Sequence, residues 1–199
     1  IDPVMSAQDQ FRSLNAARFC ESTGFAAVDI GARGGLDAAM LPLAWATEMI
    51  GFEPEPAEAA ALQGADPKPW KVRRVIAAAV GGVDGTATLH IPPSPESASL
   101  LPHNEEMVEW FGVSEQHSID RSIAVDTRTL DGLLAEGTLP PADYIKIDVE
   151  GAEGAILEHA TRYLETALAL RVEVSFLEQR TGQPLGWDVA KLLTDSGFL

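Results

Sequence analysis

The run Asp143-Tyr144-Ile145-Lys146-Ile147-Asp148-Val149-Glu150-Gly151-Ala152-Glu153 constrains the fold more than any other part of this chain. Ile145, Ile147 and Val149 alternate onto one face, and Tyr144, Lys146 and Asp148 onto the other, which predicts a strand over 144–150. Gly151 permits a tight turn. Glu153 opens an apolar-periodic run, Ile156, Leu157, Ala160 and Leu164, where a negative charge suits the start of a helix. A buried strand that turns at once into a helix belongs to an open α/β sheet, where ligands bind at the carboxyl ends of strands. Asp148 and Glu150 therefore read as part of a site.

The rest of the chain repeats this alternation. Helical patterns are expected over 8–22, 36–47, 57–63, 130–134 and 187–195, with Pro42 kinking the second or delaying its start. Strand patterns are expected over 25–30, 49–52, 72–80, 118–125 and 168–176, with 86–91 as the return strand of a hairpin after the turn 81–85. Residues 92–116 carry prolines and serines with little periodicity, apart from a helical turn near 107–111. A long irregular stretch inside a domain reads as a lid or binding loop. Alternating strands and helices predict an α/β fold with a mostly parallel sheet covered on both faces. Residues 1–22 form an N-terminal extension and helix, with Ile1 to Val4 set apart from the fold, and 23–199 form one domain.

Composition narrows the partners. With 14 basic and 30 acidic residues the formal net charge is −16, which opposes binding to phosphate backbones and so argues against nucleic acid. No apolar run reaches the ~20 residues of a membrane span, and no secretory signal is visible. Cys20 is the single cysteine; it excludes an internal disulfide and fits a reducing, cytoplasmic setting.

The strand over 25–30 runs into Asp29-Ile30-Gly31-Ala32-Arg33-Gly34-Gly35. Glycines there let the backbone turn sharply and approach a ligand. The order is not the Gly-x-Gly-x-x-Gly of dinucleotide enzymes. Glu53 ends the next strand, where an acid can accept hydrogen bonds from both ribose hydroxyls of a nucleoside. A pyrophosphate wants a positive cradle, yet Asp29 precedes this loop and Arg33 is its single cation. That suits S-adenosylmethionine, which is cationic and carries no phosphate. Arg33 either meets its carboxylate or is a surface arginine.

Together these pieces resemble the FkbM family of S-adenosylmethionine-dependent methyltransferases. The resemblance rests on Val28-Asp29-Ile30-Gly31-Ala32-Arg33-Gly34-Gly35, Gly51-Phe52-Glu53-Pro54-Glu55-Pro56, Ala78-Ala79-Val80-Gly81 with Asp84-Gly85, Thr129-Leu130-Asp131, and Ile145 to Glu153, extended by Arg171-Val172-Glu173-Val174. It implies a class I methyltransferase (Rossmann-like) fold and methyl transfer to a hydroxyl of a sugar, glycolipid or polyketide-like acceptor. By motif, Asp29, Gly31 and Gly35 would line the methionine part of the cofactor, with Ala32, Arg33 and Pro54 in the same binding set. Glu53 would hold the ribose, and Ala79 would lie near the adenine. The family fold ends in an antiparallel hairpin, which is expected to be missing here and to leave a sheet edge open.

Methyl transfer to an alcohol is an in-line displacement helped by alignment and by a general base. Asp148 is the first candidate base and Glu150 the second. Lys146 would pair with either acid or orient the acceptor. No metal is assigned, although Asp148, Glu150 and Glu173 offer the hard oxygens that magnesium or calcium prefers. Within the irregular stretch, Ser99, His103 and Trp110 are the candidate acceptor contacts, with core packing as the alternative for Trp110 and Phe111. Two other classes stay open: a nucleotide-dependent oxidoreductase or epimerase using NAD, and a non-catalytic S-adenosylmethionine-binding module.

Overall fold

A computed structural model describes residues 12–112 and 119–199. The first strand, β1 (Phe25–Ile30), follows helix α1 (Asn15–Thr23), which stops at Gly24 with φ 84°. A positive φ at this place suits a residue without Cβ. Residues 8–11 of the helix expected at the amino end, and 118 of a later strand, lie outside the described residues.

Four further strands line up with β1. They are β2 (Thr47–Phe52), β3 (Val72–Ile76), β7 (Tyr144–Ile147) and β8 (Ala169–Val172), in the order β3-β2-β1-β7-β8 and all parallel. The chain builds outward from β1 to β3, then returns to the other side of β1. This reversal opens a crevice at the carboxyl ends of β1 and β7. The sheet thus has the α/β architecture expected of a class I methyltransferase.

Alternation along the strands builds two cores. Val28, Ile30, Ile50, Phe52, Ile145 and Ile147 face one side and are all essentially inaccessible. Helices α4 (Leu130–Ala135), α5 (Glu153–Glu158), α6 (Thr161–Leu164) and α7 (Gly186–Asp195) cover them with Leu130, Leu133, Ile156, Tyr163 and Val189. Ala27 and Met49 face the other way and meet Met40, Leu36 and Leu43.

The departures from the sequence pattern have physical causes. The segment expected as a helix over 36–47 is a 3-10 helix, Ala38–Ala46, because Pro42 lacks an N–H and crowds the carbonyl one turn back. Asp37 caps it, accepting from Ala39 N at 3.0 Å. The single strand expected over 72–80 breaks after Ile76, and β4 (Ala79–Val80) joins a separate sheet, β4-β6-β5. There β5 (Gly85–Ile91) pairs antiparallel with β6 (Arg121–Arg128) and makes no hairpin with β4. The turn is fixed from outside: Asp84 accepts from Thr129 N at 2.6 Å, which ties it to the residue after β6.

The acid-tipped strand is also shorter than expected. β7 ends at Ile147, and Glu150 takes φ 60°, the single non-glycine positive φ among the described residues. Glu153 folds back on this loop and accepts from Val149 N at 3.0 Å and Gly151 N at 3.2 Å. The strand expected over 168–176 ends at Val172, and Phe176 is exposed, not buried. The apolar-periodic run after Glu153 splits into α5 and α6 at His159-Ala160, where Asp131 caps the second piece, accepting from Tyr163 N at 2.8 Å and Arg162 N at 3.2 Å.

Asp131→Ala removes that cap. We expect a loss of about 1 kcal/mol, read as a fall in Tm of roughly 2–4 °C for a chain of this size.

Candidate active site

Four strand ends converge on one cavity. Gly31 follows β1, Glu53 follows β2, Asp148 follows β7 and Glu173 follows β8. The cavity holds about 330 Å³ and is roofed by Ala79, Val80 and Leu89 of the smaller sheet and by Ala98, Ser99 and Leu100 of the loop after β5. Its size suits a small organic ligand.

The floor is set by a cross-strand pair. Asp29 and Lys146 are register partners on β1 and β7, so their side chains emerge side by side on one face. Lys146 Nζ lies 3.1 Å from Asp29 Oδ1 and 3.3 Å from Asp148 Oδ2, and donates to Gly31 O at 3.0 Å. The ammonium is thus hydrogen-bonded to one carbonyl and ion-paired with two carboxylates. Asp29 is fully buried, and its Oδ2 accepts from Asp37 N at 2.7 Å. Burial pushes the Asp29 carboxyl up to about 6, with Lys146 pulling the other way. Burial also opposes the charge on Lys146, but Asp29 and Asp148 outweigh it and hold the ammonium above its usual range.

Gly31 is the place where the two loops nearly touch. Its φ is 87°, and a Cβ there would stand 1.9 Å from Asp148 O. Only glycine fits such an approach.

Glu53 is buried at the end of β2. Its Oε1 accepts from Glu55 N at 2.8 Å and lies 3.7 Å from Arg33 Nη2. Burial raises its carboxyl above the ordinary range. Arg33 is not a free surface cation: its guanidinium is hydrogen-bonded to Glu55, which also binds Arg121. Those two hydrogen bonds, Arg121 foremost, hold the Glu55 carboxyl low.

On the far side, Asp148, Glu150 and Glu173 bring carboxylate oxygens within 4.8 Å of one another. These are the acids that form the alternative oxygen set for a divalent cation. Desolvation of its carboxyl, then Glu150 and Asp148, push Glu173 up to about 8, while the residue as a whole is exposed. Of the two acids expected as partners for Lys146, Asp148 pairs with it and Glu150 does not. The turn at φ 60° sends Glu150 to Arg180, 3.5 Å away, while Ser99 Oγ donates to its backbone carbonyl at 2.8 Å.

Among the sequence candidates, Gly31, Arg33, Glu53, Pro54, Ala79, Ser99, Lys146, Asp148 and Glu150 line the cavity. Asp29 and Ala32 are fully buried and Gly35 takes φ 138°, and none of the three is among its lining residues. His103 sits behind the wall, bonded to Arg180. Trp110 is 75% exposed on α3 (Glu105–Phe111) with its ring 5.1 Å from Phe111, so it neither lines the cavity nor packs in a core. Sequence reasoning missed Arg180, Glu96 and Asp37. No local pattern marks them; each matters through partners more than 25 residues away or through the cavity it faces.

Residues 29–199 match the family model described as the methyltransferase FkbM domain. No curated protein matches the chain. A crystal structure of methyltransferase FkbM from Methylobacillus flagellatus KT superposes with a TM-score of 0.50 at 17% identity. The match covers 86% of this chain and 37% of that one, so this chain spans little more than a third of its structural neighbour.

The raised carboxyls fix a pH dependence. A carboxyl whose folded pKa exceeds its unfolded value binds its proton more tightly in the folded state, so stability falls as pH rises between the two. Asp29, raised from 3.8 to about 6, lowers stability by about 3 kcal/mol across that window. Glu173, raised from 4.5 to about 8, extends the decline toward neutrality. We therefore expect Tm to fall from pH 5 to pH 8 in thermal scans, with the part below about pH 6 smaller in Asp29→Asn.

Proposed function

Because this chain belongs to the FkbM methyltransferase family, we propose that it moves a methyl group from S-adenosylmethionine to a hydroxyl oxygen of a sugar, glycolipid or polyketide-like acceptor. The observation that carries this reading is the charge pattern around the cavity. The two cations that line it, Arg33 and Lys146, are both committed to carboxylates and carbonyls of the protein itself. A pyrophosphate would find no free cation among the described lining residues, whereas a phosphate-free, cationic ligand suits the acids. This favours S-adenosylmethionine over NAD.

The residues present fit that cofactor. Gly31 lines the cavity without a side chain, and its contact with Asp148 O leaves no room for one. Glu53 would take the ribose hydroxyls, Asp29 with Gly31, Ala32, Arg33 and Gly35 would support the methionine part, and Pro54 and Ala79 would flank the base. When bound, the cofactor supplies a methyl group already activated by its sulfonium. The protein's own task is then alignment and proton removal. Asp148 is our candidate base: it lines the cavity, and Lys146 holds its carboxylate in place. Glu150 and Glu173 stand beside it to receive or relay the hydroxyl proton. A small-molecule or glycan acceptor would enter under Ser99 and Leu100.

Calorimetry with S-adenosylmethionine and with NAD tests the cofactor assignment; tight NAD binding, or binding of neither, overturns it. Glu53→Ala should weaken S-adenosylmethionine binding by about 10- to 100-fold, the loss of a charge-assisted hydrogen bond. Glu53→Gln, which keeps an acceptor oxygen for Glu55 N, should lose less. Asp148→Asn should keep S-adenosylmethionine affinity within about twofold and lower turnover on a panel of methyl glycosides by on the order of 100-fold. Normal turnover in Asp148→Asn would remove it as the base.

A further inference from the structure

Arg180 lies outside every motif, yet it is one of the most deeply buried charges in the protein, 3% exposed. Its guanidinium reaches three partners on two separate segments. Nη2 donates to Ser97 O at 2.6 Å and lies 3.5 Å from Glu150 Oε2. Nη1 donates to His103 Nε2 at 3.2 Å. Arginine has no acceptor, so this contact requires His103 Nε2 to be unprotonated. The aliphatic stem closes over Gly151, where a Cβ would stand 3.1 Å from Arg180 Cγ.

The backbone repeats the connection. His103 and Arg180 form an isolated antiparallel bridge, Asn104 N donates to Gln179 O at 3.0 Å, and Thr181 N to Pro102 O at 3.0 Å. The segment after β8 thus carries the roof loop on one side and the acid loop on the other. Ser99, bonded to the Glu150 carbonyl, closes the same circle from within. Glu150 occupies a backbone region that disfavours side chains, and such a residue persists only where its surroundings over-determine it. Ser99 and Arg180 supply that constraint.

We propose that Arg180 is a positioning residue for the acceptor side of the site: it clamps the roof loop Ser97–His103 to Glu150 and so fixes the wall against which the acceptor is held. The role acts through Glu150 and Ser99, since Arg180 itself does not line the cavity. It rests on the methyl-transfer reading only for the identity of what the wall holds. The cofactor side, built on Gly31 and Glu53, touches Arg180 nowhere among the contacts described. A guanidinium suits this place better than an ammonium because its planar fork serves three partners in different directions.

The test is amide hydrogen exchange on the full chain with Arg180→Ala, alongside calorimetry with S-adenosylmethionine. We expect the amides of Leu101, Asn104 and Thr181 to exchange on the order of tenfold faster or more. Amides of β1 and β7, and S-adenosylmethionine affinity, should stay unchanged. Guanidinium ion at low millimolar concentration, and not sodium, should restore slow exchange by filling the vacated site. Uniform acceleration of all amides without rescue would reduce Arg180 to a general stabiliser and overturn the proposal, as would no acceleration. If Arg180→Ala fails to fold, Arg180→Lys decides: it keeps the charge without the fork, so local acceleration confined to the same amides supports the clamp and its absence overturns it. Failure of both the unaltered chain and the variant to bind S-adenosylmethionine overturns the preceding functional reading, while the exchange pattern still decides the clamp.

Discussion

The pair between Asp29 and Lys146 is the contact on which the site depends. Both groups are taken out of water between adjacent strands, and an unpaired charge in that position would be strongly destabilising. Lys146 also grips Gly31 O and Asp148, so one ammonium ties the glycine turn after β1 to the acid loop after β7. The two loops approach so closely that only glycine fits at position 31. The proposed cofactor and acceptor sides therefore share a floor that is electrostatic and sterically exact at one point.

Around that floor the acids divide into two environments. Asp29, Glu53 and Glu55 have fixed partners, cations or backbone amides, and Asp29 and Glu53 are the two proposed for the cofactor half. Asp148, Glu150 and Glu173 crowd one another, and desolvation together with that crowding raises the Glu173 carboxyl. A carboxylate in such a group can take up a proton without a large rearrangement, as the proposed transfer to a hydroxyl requires. Arg180 balances part of that charge from behind and connects it to the roof.

Much of the fold was legible in the sequence because periodicity is a local property. The alternation of Ile145 and Ile147, the apolar run Phe25–Ile30 and the turn at Gly31 each follow from side chains a few residues apart. Misreadings came where a distant contact overrode a local pattern. The continuous β pattern of 72–80 divides because Ala79 and Val80 find a second partner in β6. The helix read over 36–47 is the local exception, tightening to 3-10 around its own Pro42. Glu150, which alternation put on the strand, leaves it for a left-handed turn fixed by Ser99 and Arg180.

By itself the sequence determined the parallel α/β class, the glycine turn, the acids at the ends of β2 and β7 and the family to which the chain belongs, since each is written in a short run of residues. The tertiary structure alone decided who pairs with whom. Strand order sets Asp29 beside Lys146 across 117 positions of chain and brings Glu173 to the other carboxylates. It also carries Arg180 to Glu150, because packing against the roof loop, and not proximity along the chain, determines where a buried charge finds its partner.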